Sequence, residues 1–217
     1  MIAVANKFTV LTGGEMKTVE TKEVILQTAR DEFMEKGFQE ASMRKIAGKV
    51  GITATALYRH YANKEDIFEA VVEPAVTGWE SICKTEEKRQ VGMAHEYGID
   101  DMWQDTKQPK FIVDMIYRNY EAQKILFCRS KGTKYENYLH EVVTKVQTAT
   151  LGFMQELEQN GTHINHIDEK EMHLLLSAQY SAMLEMVDHD FSYEEALHYA
   201  ETVSVFFKEG WRKFLGF

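Results

Sequence analysis

Only two prolines, Pro74 and Pro109, interrupt the 217 residues of this chain. An all-β fold needs a turn about every ten residues, and two prolines with 13 glycines supply far too few turn formers for that. Apolar residues make up 44% of the sequence, which is enough to form a core. The sequence therefore predicts an all-α protein with long helices.

Several classes of protein are excluded by what the chain lacks. No charge-free apolar run approaches the roughly 18 residues that a membrane span requires, so we expect no membrane association. Cys83 and Cys128 are far apart and form no CxxC motif, which argues against a disulfide scaffold or a thiolate zinc site. We expect a cytoplasmic protein without cofactor or metal. Residues 1–20 lack periodicity and predict a flexible lead-in, in which Met1 or Met16 is the native start.

Two short helices joined by a tight turn follow a first helix that begins at Thr21 and ends at Gly37. Ser42 has the chemistry of an N-cap for a helix over Met43–Val50, and Gly51 supplies the left-handed residue that ends it. Thr53 can cap the next helix, which runs to about Tyr61. This arrangement is typical of a helix-turn-helix, although an ordinary pair of amphipathic helices has similar spacing.

Charge separates this segment from the rest of the chain. The net charge of −9 argues against a nucleic-acid partner, but it is an average over two unlike parts. Residues 42–64 carry five bases and no acid. Up to residue 66 the chain has ten bases and nine acids, and the remainder has fifteen bases and twenty-five acids. A basic patch on a helix-turn-helix indicates a DNA-binding surface.

Residues 21–68 resemble the N-terminal domain of the TetR family of bacterial transcriptional regulators. The resemblance rests on four motifs: Ser42-Met43-Arg44-Lys45-Ile46-Ala47, Gly51-Ile52-Thr53, Leu57-Tyr58-Arg59-His60-Tyr61 and Asn63-Lys64-Glu65. It implies a lead-in over 1–20, a three-helix DNA-binding domain over 21–66, and a helical effector-binding and dimerisation domain over 67–217. After the capping residue Thr53, many members of the family carry Lys-Gly, whereas this chain has Ala54-Thr55. The base preference of those members therefore cannot be carried over to this chain.

The candidate DNA contacts follow from side-chain chemistry and from the resemblance. Hydroxyls of Thr53 and Thr55 can reach base edges or phosphates, and the methyl of Ala54 can contact thymine. Lys64, at the start of the next helix, combines its charge with free N–H groups and the helix dipole to bind phosphate. The full predicted set is Arg44, Thr53, Ala54, Thr55, Tyr58, Arg59, His60 and Lys64.

The second domain reads as a series of helices over residues 64–87, 98–104, 109–127, 133–159, 168–187 and 192–214. Its last two helices are apolar on more than one face, which predicts a homodimer or, alternatively, a hairpin buried within a monomer. The resemblance implies a four-helix dimer interface, and we assign to it Leu176, Met183, Val187, Val203, Phe206 and Phe207. It also implies a small-molecule pocket among the aromatic and flexible residues, although each of them also suits ordinary core: Trp79, Trp103, Phe111, Met115, Tyr120, Phe153 and Tyr180.

We therefore expect a regulator that acts by repression, rather than an enzyme. As a homodimer it binds a palindromic operator in double-stranded DNA, and a small-molecule effector releases it. The alternative is a helical enzyme or metal-binding interaction protein that retains the helix-turn-helix as scaffold. Its candidate ligands are His163, His166 and Asp168, together with the pair His140-Glu141, but the first two histidines fall in a predicted loop.

Overall fold

The computed structural model describes the backbone of residues 14–97 and 108–217, and the side chains of residues 21–84 and 108–217. Within these ranges the chain forms helices and turns and no strand, which confirms the predicted all-α class. None of the described helices is long and apolar enough to cross a membrane. The helices are α1 (Gly14–Glu40), α2 (Met43–Val50), α3 (Ala54–His60), α4 (Lys64–Tyr97), α5 (Gln108–Arg118), α6 (Tyr120–Cys128), α7 (Tyr138–Gln159), α8 (Glu169–Asp188) and α9 (Tyr193–Leu215).

The N-terminal helices follow the predicted pattern closely. Helix α1 begins at Gly14, earlier than the predicted start at Thr21, and its helical geometry breaks at Gly37, whose φ is 70°. Helix α2 has the predicted bounds, and Gly51 ends it in the left-handed region with φ 80°. Ser42 occupies the N-cap position of α2, but its side chain makes no capping hydrogen bond.

The later helices differ from prediction in their ends. The helix predicted over 109–127 is two helices, α5 and α6, divided at Asn119, where φ is −134° and ψ is 44°. Helix α4 continues to Tyr97 instead of ending near residue 87, and α7 begins at Tyr138 rather than residue 133. The short helix predicted over 98–104 lies outside the described residues. At α9, Ser192 and Glu195 form a capping box.

One hydrophobic core joins the two domains. Phe33 of α1 packs edge-on against Phe68 of α4 with ring centroids 5.1 Å apart, and Phe38 packs against the same ring at 5.3 Å. Deeper in the second domain, the buried indole of Trp79 meets Phe127 edge-on at 5.7 Å. Since α4 contributes to both packing groups, it connects helices α1–α3 to the rest of the molecule.

The loop between α6 and α7 also connects the domains, through the backbone. The carbonyl of Arg129 accepts a hydrogen bond from the N–H of Phe38 at 2.9 Å. The Arg129 side chain donates from Nε to the carbonyl of Met34 at 3.2 Å. A Cβ added at Gly132 of the same loop would lie 3.1 Å from Gln39. This loop therefore holds the turn between α1 and α2, directly before the helix-turn-helix.

Candidate DNA-binding surface and sensor cavity

Helices α2 and α3 pack as the predicted helix-turn-helix. Ile46, Ala47 and Leu57 are buried at the crossing of the two helices. The N–H of Ile52 bonds to the carbonyl of Ala47 at 3.0 Å, which closes the turn around Gly51. The small side chain of Ala47 lets the two helices approach closely, and the buried Leu57 packs the second helix onto the first.

Helix α3 presents its predicted contact residues to solvent. Thr53 caps the helix, with its Oγ1 accepting a hydrogen bond from the N–H of Ala56 at 3.1 Å, and its hydroxyl proton stays available to another partner. Thr55 and Arg59 are exposed, and the side chain of Tyr58 is 50% exposed, which is unusual for a residue of its size. Two further predicted residues on this helix, Ala54 and His60, are half-buried.

The five bases of residues 42–64 do not all present free charge. Lys49 forms an ion pair of 2.8 Å with Glu32 of α1, a carboxylate that is itself buried, and this hydrogen bond raises the pKa of Lys49. Arg44, Lys45 and Arg59 are exposed, and within the described residues no acid lies within ion-pair distance of them. These three cations are the charge that this surface offers to a polyanion.

Lys64 is engaged by the protein itself. Its ammonium donates to the carbonyls of Phe38, Gln39 and Ala41 at 2.6, 3.1 and 3.1 Å, and it lies 4.4 Å from the centroid of the Phe38 ring. All three ammonium protons therefore have acceptors at the end of α1. The phosphate contact predicted for this side chain competes with those bonds, and the geometry favours a role in positioning α4 against α1.

Asn63 and Asp66 fix the start of α4. The Asn63 Oδ1 accepts a hydrogen bond from the N–H of Asp66 at 2.8 Å, as in a capping box. The Asp66 carboxylate accepts in return from the N–H of Ala62 at 3.1 Å, one residue before the N–H that a regular capping box uses. These two hydrogen bonds fix Ala62 and Asn63, which connect α3 to α4, against the first turn of α4.

A cavity of about 190 Å³ lies between α7, α8 and α9. Of the predicted pocket residues, Phe153 and Tyr180 line it. Sequence reasoning missed most of its wall, including Met172 and Leu176 on α8 and Trp211 on α9. The polar side of the wall is ordered by a 2.7 Å hydrogen bond from the Trp211 Nε1 to Gln179. The lining is predominantly apolar with few polar groups, as in sites for small organic molecules.

The other predicted pocket residues do not line this cavity. Trp79 is buried in the core, where its Nε1 donates to Gln123 at 2.9 Å, and Met115 accepts a hydrogen bond from the same amide. The hydroxyl of Tyr120 donates to Asp190 and the backbone near the end of α8, and Phe111 is exposed on α5. Trp103 lies outside the described residues.

The residues predicted for the dimer interface fall into a buried group and an exposed group. Leu176, Met183, Val187 and Val203 are buried within the subunit, which leaves little of their surface for contact with a second copy. Phe207 is half-buried against the core. Phe206 is 74% exposed, and the structure adds Leu174 on α8 and Val205 on α9, which are 68% and 64% exposed. The face that is available to a partner is therefore a different face of the same two helices.

The candidate metal ligands of the alternative hypothesis are dispersed. The Asp168 carboxylate caps α8 by accepting from the N–H groups of Lys170 and Glu171. His163 and His166 are exposed in the preceding loop, and the described residues gather no third ligand around them. His140 pairs with His173 across α7 and α8, with a nitrogen to nitrogen distance of 3.1 Å, rather than with the neighbouring acid.

Comparison with known proteins agrees with this geometry. Residues 25–71 match the family described as bacterial regulatory proteins, tetR family. The HTH-type transcriptional repressor BepR of Brucella suis biovar 1 (strain 1330) is 36% identical over 56 residues, which cover 26% of this chain and 27% of BepR. The match thus spans about a quarter of that relative's length.

Solved structures extend the similarity to the second domain. Native NalD, the secondary repressor of the MexAB-OprM multidrug efflux pump in Pseudomonas aeruginosa, superposes with a TM-score of 0.58 at 16% identity, covering 91% of this chain and 98% of NalD. FadR of Bacillus subtilis, in complex with stearoyl-CoA, gives 0.54 at 14% identity, covering 87% and 98%. At these identities the two structures establish a shared fold.

Proposed function

We propose that the chain is a transcriptional regulator of the TetR family, and that it is a repressor that binds a palindromic operator as a homodimer and is released by a small-molecule effector. The observation that carries the proposal is the surface of α2 and α3. There, exposed hydroxyls at the start of α3 stand beside three cations that no acid of the described residues neutralises. Such a surface suits the edges and phosphates of a major groove.

We assign phosphate contacts to Arg44, Lys45 and Arg59, and base-edge contacts to Thr53 and Thr55. The three cations are exposed, and their charge is available without breaking an ion pair. The hydroxyls lie on the first turn of the second helix, which is the end that enters the groove in helix-turn-helix proteins. Tyr58, Ala54 and His60 support this surface from the same helix.

The salt dependence of DNA binding tests the assignment. Operator fragments selected from random duplexes are titrated by fluorescence anisotropy at several salt concentrations. Arg44→Ala removes one phosphate contact, so the slope of log affinity against log salt should fall by about 0.9. Lys213→Ala removes the same charge from exposed α9 and is the matched control, with an unchanged slope. Equal slopes for wild type and Arg44→Ala would place Arg44 outside the interface.

Dimerisation is supported by the exposed apolar side chains on α8 and α9. These helices pack together through the hydroxyl of Tyr199, which donates to the carbonyl of Ala182 at 2.9 Å. Leu174, Val205 and Phe206 project from the pair into solvent, and large exposed apolar groups on neighbouring helices mark interaction sites. A two-fold dimer through this face supplies the two recognition helices that a palindrome requires.

Sedimentation velocity measures the oligomeric state directly. Phe206→Glu buries a charge in the proposed interface, so the sedimenting mass should fall from dimer to monomer at micromolar protein. Val24→Glu places the same charge on an exposed apolar position of α1 and should leave the dimer intact. A dimer that persists in Phe206→Glu would move the interface elsewhere.

The cavity between α7, α8 and α9 is the proposed effector site, and its lining favours an apolar or aromatic molecule. The fluorescent probe 1-anilinonaphthalene-8-sulfonate reports on its occupancy. Ser204 lines the cavity and is small, so Ser204→Trp should fill the space and reduce probe binding while operator affinity is retained. Probe binding that is unchanged in Ser204→Trp would show that the cavity is not the binding site.

A further inference from the structure

The last turn of α8 brings three metal-ligating side chains to one place. Glu185, Asp188 and His189 are spaced i, i+3 and i+4, so they project from the same side of the helix end. One ligand atom from each lies within 4.8 Å of the other two. The Nε2 of His189 is 3.0 Å from a carboxylate oxygen of Glu185. All three residues are exposed, so an ion can reach them from solvent.

The surroundings of this cluster are short of positive charge. A cavity of about 300 Å³ beside it is lined by three carboxylates, Glu136, Glu185 and Asp188, and by no lysine or arginine. Lys124 pairs with Asp190, and the Arg129 guanidinium bonds to the carbonyls of Met34 in α1 and Cys128 at the end of α6. The final carbonyls of α8 add the negative end of its helix dipole.

A second donor holds one of these carboxylates in place. The half-buried thiol of Cys128 donates a hydrogen bond to the Asp188 carboxylate. A partner that orients a ligand carboxylate from behind is the arrangement found around bound metal ions.

From this geometry we propose that Glu185, Asp188 and His189 form a binding site for a divalent first-row transition-metal ion, with water completing the coordination. The imidazole selects such ions over calcium and magnesium, which prefer oxygen ligands alone. Three protein ligands with open positions suit zinc in an accessible site. The site is separate from the DNA-binding surface and from the cavity between α7, α8 and α9, so it adds to the proposed function without resting on it.

Zinc titration of the full-length, tag-free chain tests the proposal. Competition against a chromophoric chelator gives stoichiometry and affinity, and we expect one Zn²⁺ per chain. His189→Gln and Glu185→Gln each remove one ligand, and each should weaken zinc binding at least about tenfold. Both positions are exposed, so thermal melting in the presence of a chelator should match wild type and exclude misfolding as the cause.

Other histidines of the chain provide matched controls. His166→Gln removes an exposed loop imidazole, and His140→Gln breaks the pair with His173; neither should change the affinity. Cobalt supplies a second readout, because bound Co²⁺ should shift and broaden the NMR signals of the His189 ring before those of other histidines. The proposal is overturned if wild type binds no zinc, if His189→Gln binds it as tightly as wild type, or if His140→Gln alone abolishes binding.

Discussion

Replacing Lys64 with methionine tests whether the ammonium group of Lys64 positions α4 or binds a DNA phosphate. Methionine keeps most of the aliphatic stem and removes the ammonium, so the three bonds to the carbonyls of Phe38, Gln39 and Ala41 are lost together. If those bonds position α4, the variant is less stable. If the ammonium instead meets a DNA phosphate, stability changes little and the salt dependence of binding changes.

The size of the stability loss follows from the burial of the three acceptors. The bonds to Phe38 and Ala41 are partly buried, whereas the one to Gln39 is exposed and water can replace it. A hydrogen bond from a charged donor contributes about 1.5 to 3 kcal/mol, so two such bonds at the lower end amount to about 3 kcal/mol. For a chain of this size, this lowers the thermal midpoint by about 6 to 12 °C.

Two measurements on the same protein decide between the roles. Circular dichroism melting at fixed protein concentration should show the fall in midpoint for Lys64→Met, and the salt slope of operator binding should stay at the wild-type value. Lys45→Met is the control, because Lys45 is exposed: it should melt like wild type and lower the slope by about 0.9. A Lys64→Met variant with wild-type melting and a reduced slope would refute the positioning role.

Other contacts give predictions that stability measurements can check. Asp190→Asn should destabilise more than Lys124→Met, because it leaves the buried Lys124 ammonium without its partner; comparable urea midpoints would contradict this. Hydrogen bonding to Lys124 lowers the pKa of Asp190 below its ordinary 3.8. The ionised Asp190 carboxylate therefore stabilises the fold above pH 3.8, and this stabilisation is lost as the pH falls further. The difference in stability between wild type and Asp190→Asn should shrink in that acidic range. Gly51→Ala should cost about 1 kcal/mol in unfolding free energy, since only its positive φ opposes the methyl, and Gly132→Ala should cost more, because the methyl also meets Gln39. Equal losses at the two glycines would show that the Gln39 side chain yields freely.

The helix-turn-helix could be predicted because its signals are local. Gly51 must adopt a positive φ, Thr53 caps the helix that follows it, and both effects act within a few residues along the chain. The division of α5 from α6 at Asn119 could not be predicted in this way, since neither glycine nor proline marks it. The first residue of α6, Tyr120, bonds through its hydroxyl to Val187 and Asp190, and such long-range contacts are not visible in the local sequence.

The sites that depend on long-range packing were harder to predict. The carbonyls that bind Lys64 come together only when α1 has folded against α4, so the sequence shows the charge but not its acceptors. An apolar residue on α8 can face the core, the cavity or a second subunit, and the periodicity of one helix does not say which. Leu176 was therefore assigned to the dimer interface, whereas it lies in the cavity wall.

The α6–α7 loop contacts the turn before α2 in part through main-chain atoms. The bond from Phe38 to the Arg129 carbonyl uses no side chain of either residue, so substitutions at both positions can leave it in place. This main-chain bond tolerates substitution so long as the loop keeps its path, whereas the contacts of the Arg129 side chain and of Gly132 depend on the residue type. The loop is therefore a natural point at which to graft another sensor domain onto this DNA-binding domain, with residues 129–132 as the segment that a chimera must preserve.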